Sequence, residues 1–282
     1  MKLHTIHTGF MKLDGGAMFG VVPKTIWQNI NPPDADNLCT WAMRCLLVET
    51  DNRRILIDTG LGNKQSDKFF SYYQPHGEHT LLSSLAEKGF KPSDITDVLL
   101  THLHFDHCGG AVSKTPDGEL IPTFPNAVYW SNEAHWEWAT HPNEREKASF
   151  LVENFVPLRE KNCVSWLNED DFLCDSIYVR LVYGHTEAML IPHILLPNGQ
   201  TLVYMADLIA SAGHIRLPYV MAYDVRPLQT LAEKKDFLYR AAAENQVLFF
   251  EHDRTTDCAR VRKTEKGGVE VAEAFALSDL VY

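Results

Sequence analysis

A core-strand run, Val98-Leu99-Leu100, leads straight into Thr101-His102-Leu103-His104-Phe105-Asp106-His107-Cys108-Gly109-Gly110. No other stretch limits the fold as tightly, because three histidines and an aspartate fall within six residues at the end of a buried strand. Imidazole and carboxylate groups crowded there are costly to bury without an ion to pair them. The alternative is a surface histidine cluster with no metal. On extended backbone, residues two apart point the same way, so His102 and His104 can hold one ion together. Asp106 and His107 follow after the chain turns, and point toward a second. This donor set suits two divalent ions, Zn foremost with Fe, Mn or Co as alternatives, rather than Ca or Mg.

The flanking chain alternates strands with helices. Residues 41–48, a polar turn at 51–54 and residues 55–57 read as a hairpin. Leucines at 81, 82 and 85 give 79–88 a helical spacing, Gly89 is a stop, and 91–94 restarts the chain before a strand over 97–100. Further on, 177–181, 188–196 and 201–204 read as consecutive strands, with a turn at Pro197-Asn198-Gly199. Residues 227–245 form the clearest helix and feed a strand over 247–250; Gly267-Gly268 signals a last hairpin. Strands then helix, twice over, predict a sheet-on-sheet core flanked by helices. No linker or repeat divides the chain, so 1–282 reads as a single domain. Three later positions, His185, Asp207 and His252, each lie just past a strand-like run. Singly, each is as readily a capping or surface residue. Strand ends hold ligands rigidly, and loops above them leave room for a substrate.

Composition narrows the partners. At 282 residues and 45% apolar content, the chain can bury its own core without staples. A net charge of −11 with no long basic run argues against a nucleic-acid groove and an anionic membrane surface. Six cysteines without Cys-x-x-Cys spacing look like thiols of a reduced compartment. Cys108 reads as a packed neutral thiol, with a thiolate ligand as the alternative. The N-terminus lacks a signal-peptide run, and no stretch reaches transmembrane length. These features predict a cytoplasmic enzyme acting on a small molecule; a homodimer is compatible with them.

The ordered set His102, His104, Asp106, His107, His185, Asp207 and His252 resembles the metallo-β-lactamase superfamily, over residues 15 to 253. That resemblance implies an α/β fold, a four-layer αβ/βα sandwich of two mixed β-sheets flanked by helices, with a binuclear site at one edge. It implies that His102, His104 and His185 hold one metal, that Asp106, His107 and His252 hold the other, and that Asp207 bridges. Leu56-Ile57-Asp58-Thr59-Gly60 matches the strand and turn ahead of that motif. Asp58 would hold a ligand imidazole by its other nitrogen; a plain turn aspartate is the alternative.

Residues 14–24 with Trp27, together with 205–208 and 220–224, resemble quorum-quenching N-acyl-homoserine lactonases of the YtnP type. Methyl-parathion-type organophosphorus hydrolases are close cousins. Gly15, Gly16 and Gly20 permit positive-φ backbone near a site. Met18 and Phe19, with Phe105, would line a substrate pocket; an ordinary hairpin with two core residues is the alternative. Two departures stand out. Gly184-His185-Thr186-Glu187-Ala188 lacks the family's Pro-Gly, and Ala210 stands where some lactonases carry a substrate-facing tyrosine. Tyr223 or His214 would then polarise the carbonyl or deliver a proton. The implied reaction is attack of a metal-bridging hydroxide on a lactone or ester carbonyl, with Asp106 and Asp207 as catalytic carboxylates and Asp207 moving the proton. An organophosphate or aryl-ester hydrolase and a glyoxalase II-like thioesterase are the alternatives, the latter needing a basic patch such as Arg260, Arg262, Lys263 and Lys266. A nuclease is disfavoured by the acidic balance, and a metal-binding module without turnover is a further class.

Overall fold

In the computed structural model, which describes residues 1–282, period-two patterning feeds two cores at once. Along the N-terminal strands, Leu46, Val48, Ile55, Ile57 and Leu99 face one apolar cluster while Cys45, Leu47, Leu56 and Val98 face another. Strands with both faces buried must lie in the middle of a layered fold. The first sheet has six strands in the order Lys2–Asp14, Leu38–Glu49, Arg54–Ile57, Asp97–Leu99, Val128–Ser131 and Val164–Trp166. The second has seven, in the order Val269–Phe275, Cys258–Lys263, Val247–Phe249, Thr201–Tyr204, Met189–Leu195, Ile177–Val182 and Phe172–Cys174. Both sheets mix parallel and antiparallel pairs. Between them lies the larger cluster, to which Phe237, Leu238 and Ala241 of helix Pro227–Glu244 also belong. The far side of the first sheet carries helices Leu81–Glu87 and Glu133–Thr140 through Leu81, Leu85, Trp136 and Ala139. The result is the four-layer sandwich that the resemblance implied.

Local chemistry sets the boundaries. Thr80 caps the Leu81–Glu87 helix in a reciprocal capping box with Ser83, and Asn245 in the left-handed region (φ 51°) ends Pro227–Glu244. Residues 14–24 are not a hairpin. Asp14 accepts from the Ala17 amide and starts a short helix, Gly15–Phe19. Positive φ therefore occurs at Gly20 (58°) alone among the three glycines; Gly15 is instead required by contact, since a Cβ there would sit 2.4 Å from the Trp27 ring. All six cysteines are free, and no helix is long and apolar enough to cross a membrane.

Candidate metal centre

The 101–110 segment is pinned from both sheets before it turns. Thr101 donates to Asp58 through its amide (2.8 Å) and hydroxyl (2.7 Å), and its carbonyl accepts from the Leu190 amide at 2.9 Å. His102 and His104 do not sit on regular strand as expected. His104 is the extended residue that precedes the one-turn helix Phe105–Cys108, which swings Asp106 and His107 to the other side. The pair still converge, His102 Nε2 lying 3.1 Å from His104 Nδ1, and His185 Nε2 joins them at 3.2 Å from the same His104 nitrogen. In the second group His107 Nε2 and His252 Nε2 are 3.1 Å apart, with Asp106 Oδ2 at 3.9 and 3.8 Å from them. Asp207 faces both groups: Oδ2 is 3.1 Å from His185 Nε2 and 3.5 Å from His107 Nε2, and Oδ1 is 3.2 Å from His252 Nε2.

Behind four of the five imidazoles stands a bonded partner that fixes the ring's orientation. His107 Nδ1 meets Asp58 at 3.1 Å and Glu251 at 2.9 Å, and His185 Nδ1 meets Asp224 at 2.8 Å. His252 Nδ1 donates to the Ala42 carbonyl (2.8 Å), and His102 Nδ1 lies 3.1 Å from Thr101 Oγ1. The strand Leu38–Glu49 reinforces this corner, because the Arg44 amide bonds the Glu251 carbonyl at 3.0 Å and the Arg44 guanidinium bonds the Phe250 carbonyl at 2.7 Å. Burial opposes charge on His185 and His252, yet Asp207 overrides it and lifts their pKa values to about 10 and about 9. Buried imidazole nitrogens thus converge on Asp207, whose Oδ1 has no hydrogen-bond partner. His102, His104, His185 and Asp207 form one group and Asp106, His107 and His252 another, the ligand atoms within each lying within 4.8 Å of one another. That nitrogen-and-carboxylate set fits divalent ions of the Zn kind. Three non-glycine residues with positive φ flank it: Asp58 (58°), Ala188 (48°) and Ala206 (43°), strain of the sort that gathers at functional sites.

A cavity of about 340 Å³ opens above, with His104, Asp106, His185, Asp207 and His252 at its base. Met18, Phe105 and Tyr223 line it beside Leu13, Tyr73 and Met221. Burial, and then the charges of Tyr73, Asp14 and Asp106, push the Tyr223 phenol up, so it stays a proton donor at neutral pH. Phe19 and His214 do not line the cavity. They stack on each other behind Met18, centroids 4.7 Å apart, and Phe19 packs on Trp27. His214 spends both nitrogens on the fold, at 2.9 Å from the Met18 carbonyl and 2.7 Å from Ser211 Oγ, and burial lowers its pKa to about 4. The sequence expectation for these two is corrected accordingly: they brace the wall and do not touch what it encloses.

Sequence reasoning did not single out Glu146, Glu251 or His135, and met Asp224 only as the end of a matched stretch. Glu251 precedes the candidate ligand His252 but lies past the end of the strand Val247–Phe249, where strand alternation gives its side chain no direction. Glu146 gave no signal. A larger cavity of about 570 Å³, lined by His76, His79 and Lys114 among others, contains none of the seven candidate ligands.

A family model described as the metallo-beta-lactamase superfamily matches residues 44–252. An N-acyl homoserine lactonase of Bacillus cereus is 33% identical over 127 residues, 41% of this chain and 46% of that protein. Another, from a Bacillus species, is 30% identical over 160 residues, 53% of this chain and 56% of that protein. The chain thus spans about half the length of the curated relatives it matches. Among solved structures, a probable metal-dependent hydrolase from Staphylococcus aureus superposes with a TM-score of 0.88 at 27% identity, covering 99% of this chain and 98% of that one. The dizinc quorum-quenching lactonase AidC shares the fold at 24% identity, with a TM-score of 0.79 over 97% of this chain and 95% of its own. With the family model spanning the whole run from the central strands to His252, and the sandwich matched nearly end to end, the chain belongs to the metallo-β-lactamase superfamily.

Proposed function

We propose that this protein is a metal-dependent hydrolase that opens a lactone or carboxylic ester, with N-acyl-homoserine lactones as the foremost substrate class. The observation that carries this is Asp207, set between two imidazole groups at the base of a cavity with an apolar wall. His102, His104 and His185 would hold one divalent ion, Asp106, His107 and His252 a second, with Asp207 shared. Such ions, when bound, supply Lewis acidity and bring the pKa of a bound water to about 7. The chain does the rest. Asp207 sets the spacing of the groups and takes the proton released on attack. Tyr223 donates a hydrogen bond to the carbonyl under attack. Met18, Phe105 and Met221 accept an acyl chain and keep water off it.

The lactonase relatives support this reading, and one feature favours it over a glutathione thioesterase. Two of the four basic residues that an anionic tripeptide would need are already paired along the last hairpin, Arg260 with Glu273 and Arg262 with Glu270, each at 2.9 Å. The test is metal analysis of the purified protein joined to turnover of homoserine lactones, aryl esters, phosphotriesters and S-lactoylglutathione. Lactone turnover that tracks two metal equivalents is expected; turnover of the phosphotriester or the thioester alone would displace the proposal.

A further inference from the structure

Two buried side chains outside the candidate ligand set tie the His104 segment to the loop that carries His185. His135 Nε2 accepts from the Leu103 amide at 2.8 Å, and its Nδ1 donates to the Glu187 carbonyl at 2.5 Å. Glu146, 3% exposed, accepts from Thr186 Oγ1 (2.6 Å) on Oε1, and from Trp138 Nε1 and Asn143 Nδ2 (both 2.7 Å) on Oε2. The same Oε1 faces His104 Nε2 at 3.5 Å, and that buried nitrogen has no other partner. A carboxylate held by three donors is an acceptor, so the His104 ring nitrogen facing it carries the proton, and the other, Nδ1, keeps its lone pair for the centre. Glu251 stands in the equivalent place behind His107, on the opposite group, its carboxylate 2.9 Å from Nδ1.

We infer that Glu146 is a positioning residue: it selects the Nε2–H tautomer of His104 and, with His135, fixes His104 against His185, so that it governs one ion's ligand group and not the other's. The inference rests on the binuclear reading above. It also accounts for how the His185 loop keeps its place without the Pro-Gly that the family resemblance implies, since Thr186 and Glu187 are the residues gripped.

The experiment compares wild type with Glu146→Gln, Glu146→Ala and, as the matched change on the other group, Glu251→Gln. Zinc-loaded proteins are titrated with a chelator, thermal melts establish folding, and long-range ¹⁵N–¹H imidazole spectra report the His104 tautomer. Glu146→Gln should weaken one zinc equivalent about 10–100-fold, leave the other in place and lose the Nε2–H signature. Glu251→Gln should weaken the complementary equivalent. Unchanged zinc retention with an unchanged tautomer overturns the inference, as does equal weakening of both equivalents, which marks a general scaffold role. Should Glu146→Ala fail to fold, the isosteric glutamine variant decides alone. If wild type takes up no zinc, the binuclear reading fails by itself; the tautomer comparison then still decides Glu146, retention of the signature in the glutamine variant overturning its role and loss supporting it.

Discussion

The base and the wall of the cavity are built by opposite means. At the base, candidate ligands from four separate segments sit between 0 and 8% exposed, and most of the imidazole nitrogens that face away from the centre are bonded to a carboxylate, a carbonyl or a hydroxyl. The wall is a set of apolar contacts among Leu13, Met18, Tyr73, Phe105 and Met221, with Tyr223 left 39% exposed. Bonded groups at fixed distances tolerate little change, whereas an apolar surface can be reshaped one side chain at a time. Under the proposed function, the base would set the chemistry and the wall what enters.

That division is open to attack from its strongest point downward. Asp207→Ala should lose turnover by on the order of 10³-fold or more and release metal, with the fold intact by circular dichroism. Full turnover in metal-stripped protein would break the distinction outright. Tyr223→Phe comes next: kcat should fall about 10²-fold with metal content unchanged. If kcat holds, the carbonyl's hydrogen-bond donor lies elsewhere. Met18→Ala should leave kcat on short-chain lactones near wild type and shift the long-to-short preference in kcat/KM about tenfold. A uniform loss across chain lengths would mean that Met18 supports the base rather than the wall.

Legibility in the sequence followed the same line. The base could be read because its residue types are chemically narrow, four of them crowd into 102–107, and the others each end a strand. The wall was read only in part, through Met18, Phe105 and Tyr223, because Leu13, Tyr73 and Met221 come from distant segments and meet them only in the fold. Met18 and Phe19 show the limit. Adjacent on a helix, they point about 100° apart, so one lines the cavity and the other packs on Trp27 and His214. The sheets were legible only in part: the sequence reading passed over the short strands Val128–Ser131, Val164–Trp166 and Phe172–Cys174, and over Lys2–Asp14. The last of these lies at a sheet edge, carries a register shift between His7 and Phe10, and fully buries only Ile6 and Met11, so its alternation is blurred.

A buried imidazole with no carboxylate against it sharpens the comparison. His193, 2% exposed, donates from Nδ1 to the Ile191 carbonyl (2.9 Å) and stacks on Tyr178. Burial holds its pKa down at about 4, against an ordinary 6.5. Because the folded value is the lower one, the unfolded chain takes up the proton first as pH falls. Stability is then whole above pH 6.5 and drains away down to pH 4, by about 2 kcal/mol at pH 5. Denaturant melts of wild type and His193→Leu across that range should show a shallower pH slope in the variant; parallel slopes would exclude the assignment.

The smallest effect is expected at Ala188, where the family resemblance implies a glycine. Its φ of 48° is left-handed, which costs an L-residue roughly 1–2 kcal/mol. Ala188→Gly removes that cost. Against it stand the extra freedom of glycine in the unfolded chain, roughly 0.4–1 kcal/mol, and the loss of one buried methyl, about 0.8 kcal/mol. The terms nearly cancel, so the variant should melt within about 0.5 kcal/mol of wild type and retain its metal. Stabilisation beyond about 2 kcal/mol would show the loop to be strained throughout. A loss of that size would show that the base depends on the Ala188 methyl itself, and so would blur the line between bonded base and packed wall.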